Sequence, residues 1–313
     1  MSKEHKQNEN NKHKPHSADY FVESRNHWWN QDFLALMAKR WDLSKVNSIV
    51  DVGCGIGHWG RTLEPYLNKT CSLIGVDREA EWVEKATEEA HQKGLHPRFS
   101  YVKGDTYQLP FESNSVDMVT CQTVLMHLGD PLKAIEEMKR ILKPGGLIAV
   151  VEPNILCQSL IFDSLTAQEP MDDLIRSLSF YLKCGKGKQV LGEGFDACGD
   201  LVPGYFGKAG LKNIAVYISD KTWPWIPPYE TEQEQLILKE WEEMRTKDRV
   251  HGAWEDETTK RYFIAGGGKE EEFEFYQGFF KESYQKHWDA TEAGELDFAG
   301  GNLVYLVSGR KGE

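Results

Sequence analysis

The sequence predicts an α/β fold: a doubly wound, seven-stranded sheet whose last strand is antiparallel, with helical cap insertions. Three observations lead there. Between Lys45 and Asn154 five short apolar runs alternate with helical patterns, the pattern of a parallel sheet covered by helices. Two further apolar runs come late, Asn213–Ser219 and Asn302–Ser308. Two stretches, 156–199 and 223–299, break the alternation and are too long to be plain loops.

The five early runs are Ser48–Val52, Ser72–Val76, Phe99–Lys103, Val116–Cys121 and Leu147–Glu152. The helices between them carry start and stop signals. Asp130-Pro131 supplies an N-cap with proline at the first helical position, and Lys143-Pro144-Gly145-Gly146 ends that helix. Glu79–His91 reads as a polar-faced helix with Trp82 and Val83 among its few apolar members. A last strand that returns after a long excursion closes the sheet antiparallel.

The expected organisation is a disordered tail over 1–16, an N-terminal helical segment over 17–45, and a cofactor-binding core over 46–155. A cap insertion follows over 156–199, core again over 200–222, a helical cap insertion over 223–299, and a final core strand over 300–313. In the second insertion Ile237, Trp241 and Met244 share a helical face, as do Phe273, Tyr276, Phe280, Tyr284 and His287. Of the ten tryptophans only Trp59 and Trp82 lie within 46–154. The aromatics outside form either the cap's own core or the wall of a substrate pocket, since small-molecule sites are mostly apolar and aromatic.

Composition narrows the function. The 37 basic and 49 acidic residues give a net charge of −12, with no basic stripe for phosphate contacts, so nucleic acid is not an expected partner. The six cysteines are scattered without a CxxC pair, which reads as reduced thiols rather than a disulfide frame or a metal site. No apolar run reaches the ~18 residues of a membrane span, and MSKEHKQNENNKHKPHS carries no apolar stretch behind its charges. A cytoplasmic protein without membrane contact is expected; the oligomeric state stays open.

The turn after the first strand holds the chemistry. It reads Val50-Asp51-Val52-Gly53-Cys54-Gly55-Ile56-Gly57-His58, and three alternate glycines let backbone bend sharply and approach a ligand. A dinucleotide site wants G-x-G-x-x-G; here the pattern is G-x-G-x-G preceded by Asp51, better suited to an ammonium and a sulfonium than to a pyrophosphate. Asp77 ends the second strand, where an acid accepts from ribose hydroxyls. Asp105 and Thr106 follow the third strand, with Asp105 placed to accept from an adenine amino group. All three acids fall at the C-terminal ends of strands, where open α/β sheets bind ligands.

These residues resemble the class I S-adenosylmethionine-dependent methyltransferases, with a Rossmann-like core. The resemblance covers 46–154 through VDVGCGIG, LIGVDRE, YVKGDTYQLPF, DMVTCQTVLMHL and LKPGGLIAVVEPN. It is nearest to the branch of quinone C-methyltransferases and small-molecule methyltransferases. The resemblance implies S-adenosyl-L-methionine as cofactor, with Asp51, Gly53, Cys54, Gly55 and Gly57 at the methionine end. It implies Asp77 with its neighbour Arg78 at the ribose, Asp105 and Thr106 at the adenine, and Gln122 beside the sulfonium.

Methyl transfer is a direct displacement, so alignment dominates and a base is needed only where the acceptor loses a proton. His127, after the fourth strand, is the candidate catalytic residue, the alternative being a structural or cofactor-shell role. His27, beside Trp28 and Trp29, reaches the site if the N-terminal segment folds over it. The tetrapeptide after the fourth strand, Cys121-Gln122-Thr123-Val124, lacks the Asn-Pro-Pro-Tyr-like pattern of nucleic-acid amino methyltransferases. The expected function is methyl transfer to a small, partly apolar organic acceptor. The rivals are a non-catalytic cofactor-binding sensor or scaffold and a nicotinamide-dependent oxidoreductase.

Overall fold

The computed structural model describes residues 24–246, 249–250 and 254–313; the tail expected over 1–16 lies outside the described residues. The strands are β1 (Ser48–Val52), β2 (Ser72–Asp77), β3 (Phe99–Lys103), β4 (Val116–Gln122), β5 (Leu142–Asn154), β6 (Lys212–Ile218) and β7 (Leu303–Arg310). They form one sheet in the order β3-β2-β1-β4-β5-β7-β6. The first five run parallel, and β7 runs antiparallel to both β5 and β6. The strand order reverses at β1, which pairs β2 on one side and β4 on the other. That reversal opens a crevice at the strands' C-terminal ends.

The helices are α1 (Gln31–Arg40), α2 (His58–Leu63), α3 (Ala80–Gln92), α4 (Pro131–Ile141), α5 (Met171–Val190), α6 (Val202–Lys208), α7 (Glu232–Thr246), α8 (Asp256–Ala265) and α9 (Glu270–Ala293). Side chains alternate across a strand, so β1 sends Ile49 to one face and Val50 and Val52 to the other. The first face packs α1, α2 and α3 through Leu34, Met37, Trp59 and Ala86. The second packs α4 and α6 through Ile135, Met138 and Phe206. Fully burying each Val, Leu, Ile or Phe of these layers contributes about 1.5–3 kcal/mol before entropy is counted. α4 starts where expected: the Asp130 side chain accepts from the Lys133 amide at 3.0 Å, with Pro131 in the first turn. β5 starts at Leu142, five residues before the expected Leu147, because the chain passes from α4 straight into the ladder, Leu142 pairing with Val116.

The insertions build a helical cap with cores of its own. Phe180 of α5 packs with Tyr262 and Phe263 of α8 and Phe273, Tyr276 and Phe280 of α9. A smaller cluster joins Trp225, Tyr229, Ala290 and Leu296, with Trp241 packed against it. The cap aromatics therefore pack mainly on one another. α5 and α8 cross almost backbone to backbone, since a Cβ on Gly187 would fall 1.7 Å from the Tyr262 carbonyl oxygen. The described part of the N-terminal segment is a short 3-10 turn, Ser24–His27, followed by α1.

Candidate cofactor site

The site starts from the turn between β1 and α2. Gly53, Gly55 and Gly57 all have positive φ, at 64°, 51° and 76°, a region that L side chains rarely adopt. At Gly53 a side chain is also excluded by space, because its Cβ would lie 2.6 Å from a Val124 methyl group. The turn is tied to β2: the Cys54 amide donates to the Val76 carbonyl at 3.1 Å. Asp77 holds it from the side, one carboxylate oxygen accepting from the Gly55 amide at 2.9 Å and the other from the Glu79 amide at 3.0 Å. A carboxylate oxygen has more than one acceptor lobe, so Asp77 clamps the turn and keeps capacity for a ribose hydroxyl.

Asp51 is the unusual group. It is buried, and its carboxylate meets no hydrogen-bond donor except the Gly60 amide. Burial, reinforced by the nearby Asp77 charge, pushes its pKa from 3.8 up to about 8; the Gly60 amide and the Arg61 charge pull the other way without compensating. The Tyr101 hydroxyl is likewise buried, with only Arg61 beside it as a hydrogen-bond donor, and its pKa is raised by burial. Burial also pushes the Cys54 thiol well up, with Asp51 and Asp77 adding to the effect; Cys54 is therefore a neutral thiol. His58, the first residue of α2, is pushed down to about 3 by burial and by the charges of Arg25 and Arg61. The N-terminal segment packs on α2, the Trp29 ring lying 5.5 Å from that of Trp59.

Register brings the remaining candidates to one edge. Asp51 pairs with Gly75 of β2 and Thr120 of β4, so Gly53, Asp77 and Gln122 reach the same level. Asp105 stands two residues beyond Lys103, the partner of Asp77. It is exposed, and its side chain accepts from the Tyr107 amide at 2.8 Å; Thr106 is half-buried. Arg78 extends into solvent, its side chain 74% exposed and 3.3 Å from Glu79. Gln122 is followed by Thr123 at φ 54° and by the 3-10 turn Leu125–His127, where His127 is half-buried.

Sequence reasoning missed Glu152, two residues from the end of β5. It is completely buried, and its carboxylate accepts from three successive amides of the loop after β4, those of Val124, Leu125 and Met126, at 2.8, 2.8 and 3.2 Å. The signal was present: one carboxylate inside the otherwise apolar run LIAVVEPN. It also missed the buried pair of Lys188 and Asp196, 2.5 Å apart, because those residues lie in an insertion without a recognisable motif. No group of histidine, cysteine and acidic side chains suited to a metal ion occurs among the described residues.

The geometry defines an α/β ligand site at a topological switch point, with a glycine-rich turn and buried acids. Comparison with known proteins makes it specific. Residues 50–150 match a family model described as "Methyltransferase domain". A protein named uncharacterized methyltransferase YcgJ, of Bacillus subtilis, is 34% identical over 119 residues, 38% of this chain and 46% of that protein. A demethylmenaquinone methyltransferase of Oceanobacillus iheyensis is 31% identical over 124 residues, 40% of this chain and 50% of that one. A sterol 24-C-methyltransferase of Aspergillus fumigatus is 32% identical over 116 residues, 37% of this chain and 30% of that one. The chain thus spans about half the length, or less, of these relatives. Among solved structures, that of B. subtilis YcgJ superposes with a TM-score of 0.50 at 20% identity, covering 91% of this chain and all of that one. A putative methyltransferase from Bacillus halodurans gives 0.51 at 18%, covering 90% of this chain and all of that one; both likenesses concern the fold. Residues 50–150 thus carry a methyltransferase domain, and the expected seven-stranded fold with its antiparallel last strand is the one observed.

Proposed function

We propose that the protein transfers the methyl group of S-adenosylmethionine, by direct displacement, to a small, partly apolar organic acceptor. The observation that carries this is Asp51, a buried carboxylate with no charged partner at hydrogen-bond distance and only the Gly60 amide as donor, beneath a G-x-G-x-G turn. A cationic ligand group restores the charge that burial suppresses, whereas a pyrophosphate there would be repelled. In this reading Asp51 and the turn amides serve the methionine end, Cys54 contributes only surface, and Asp77 serves the ribose. Asp105 and Thr106 flank the adenine and Gln122 the sulfonium, with Arg78 at the solvent edge.

When bound, the cofactor supplies an electrophilic methyl carbon whose bond to sulfur breaks as the bond to the acceptor forms. The chain's part is orientation, which is worth about 7–11 kcal/mol of barrier in well-aligned reactions. His127 is the candidate base for an acceptor that must lose a proton. Relatives named for a quinone and a sterol support an apolar acceptor, and the aromatic cap is consistent with one. A net charge of −12 argues against nucleic acid as partner. No helix among the described residues is long and apolar enough to cross a membrane. A cytoplasmic location is part of the proposal, supported by the scattered cysteines.

Incubating the protein with a metabolite extract and cofactor carrying an isotope-labelled methyl group, then finding the labelled product by mass spectrometry, tests the reading. Thermal-shift titration with S-adenosylhomocysteine should add about 2.7 kcal/mol at 100 times its dissociation constant. Stabilisation by NAD alone would overturn the assignment. Binding without label transfer to any extract component would favour a sensor or scaffold.

A further inference from the structure

We propose that Glu152 is a positioning residue, whose carboxylate fixes the loop Val124–His127 against the cofactor turn and links that loop to the cap. The proposal rests on the methyltransferase reading of the site and goes beyond it. Three consecutive amides converging on one carboxylate is the arrangement backbone uses to hold an anion, here satisfied from within the protein. The loop needs such an anchor. Thr123 sits at φ 54°, which a β-branched residue adopts only under constraint.

Val124, Met126 and His127 of the held loop each touch something of consequence. Val124 fills the space beside Gly53 that a Cβ would need, so moving it moves the contact with the glycine turn. The Met126 carbonyl accepts from the Phe195 amide at 2.9 Å. Gly194 presses so closely on this loop that a Cβ there would lie 2.0 Å from the Met126 oxygen and 2.8 Å from the His127 Cα. Phe195 precedes Asp196, which pairs with Lys188 of α5, and the Asp196 carbonyl accepts from the Ile155 amide just after β5. The chain of contacts therefore runs from the cap helix α5, through Asp196 and Phe195, to the loop that Glu152 holds and on to the cofactor turn.

The charge of Glu152 is finely balanced. Burial pushes it from 4.5 up to about 7, against the pull of the three amides and of the Lys188 charge. Cys121 of β4 and Cys198 of the 3-10 turn Cys198–Leu201 also face it. Both thiols are raised by burial and by Glu152 itself, and so are neutral. Lys188 is shared with Asp196, and Asp51 lies beyond Cys121. Protonation of Glu152 near neutral pH weakens acceptance from the amides, so the loop's hold follows pH.

The test uses the full chain labelled with nitrogen-15, without any acceptor. The expected result is that the amide signals of Val124, Leu125 and Met126 titrate together, with a common midpoint near 7. In Glu152→Gln the titration should disappear and the three amides exchange at least about tenfold faster, since hydrogen bonds to a charged acceptor are stronger than to a neutral one. S-adenosylhomocysteine affinity should fall as well, because one amide then faces the Gln NH2 and the loosened Val124 packs against Gly53. A second variant, Lys188→Met/Asp196→Leu, removes the cap's buried pair together and should move the wild-type midpoint upward. If Glu152→Gln fails to fold, the wild-type titration and the double variant still decide. Three amides that do not titrate together, or an unshifted midpoint in the folded double variant, would overturn the proposal. Failure of the wild type to bind S-adenosylhomocysteine would instead overturn the methyltransferase reading while leaving the titration as it stands.

Discussion

The second face of the sheet and the cap are held together differently. The sheet's second core is built from Val, Ile, Leu and Met around β1, β4 and β5, whereas the principal cap core is almost entirely aromatic, with Phe180 at its centre. The Phe180 ring lies 4.8–5.4 Å from those of Phe280, Tyr276 and Phe263. Branched aliphatic chains suit the strands' pleated surface. Aromatic rings bury a large area each and pair edge to face or offset, which is how the cap helices meet. The sheet thus presents a fixed row of polar ends, while the cap offers bulk that is only locally tied to that row. Its ties at the site are the Phe195–Met126 hydrogen bond and the close seat of Gly194.

The largest expected effect separates the two cores. Phe180→Ala should cost about 3–5 kcal/mol of stability, appearing first as faster amide exchange in α5, α8 and α9. S-adenosylhomocysteine binding by the sheet should survive in the folded variant. Calorimetry showing that the two are lost together would mean that cap and sheet form one cooperative unit.

Next comes the pH dependence of the sheet side. In the folded protein Asp51 holds its proton to about pH 8, against 3.8 for an unperturbed aspartate. The native state then binds more protons than the unfolded one across that window, so stability falls as pH rises through it, by up to about 1.4 kcal/mol per pH unit. Asp51→Asn should flatten the decline measured by denaturant unfolding between those limits. In the wild type, a ligand ammonium that ionises Asp51 should release close to one proton on binding at pH 7, read by calorimetry in buffers of different ionisation enthalpy. Binding without proton release would place the ammonium elsewhere.

Asp77→Ala should weaken S-adenosylhomocysteine binding by about 1–3 kcal/mol, the cost of leaving buried donors without a partner. Part of that loss should come from the freed Gly55 amide. Unchanged affinity in a folded variant would assign the ribose to another group. The smallest effect belongs to Arg78→Ala. With its side chain in solvent beside Glu79, it should change affinity and stability by no more than about 0.5 kcal/mol. A larger loss would show that Arg78 turns inward when ligand binds.

How much of this was legible beforehand differs along the chain. β1 and β3 have the ends read from the sequence, because a short apolar run bounded by polar residues has one way to be buried. The glycine turn was legible for a related reason: glycine at positive φ is chemically distinctive, and Gly53, Gly55 and Gly57 leave a mark that survives without a structure. Glu152 was not, although its sequence position is as conspicuous as that of Asp51. Its partners are backbone amides some 27 residues away, and amides look alike in every sequence. Lys188 reads as one more charge in a lysine-bearing helix and is in fact completely buried.

The sequence alone therefore determined the seven strands, the helices between the first five, and the place of the glycine turn and the acids near it, since each depends on local periodicity or on a residue type with unusual backbone freedom. Only the tertiary structure decided which acids keep a free carboxylate, which clamp the turn, and which hold a loop. Those roles depend on burial and on donors brought from distant segments. Asp51, Asp77 and Glu152 are chemically similar carboxylates. One meets only the Gly60 amide, one meets the nearby Glu79 amide and that of Gly55 in the turn after β1, and one meets three amides of a neighbouring strand's loop, and that difference is set by packing.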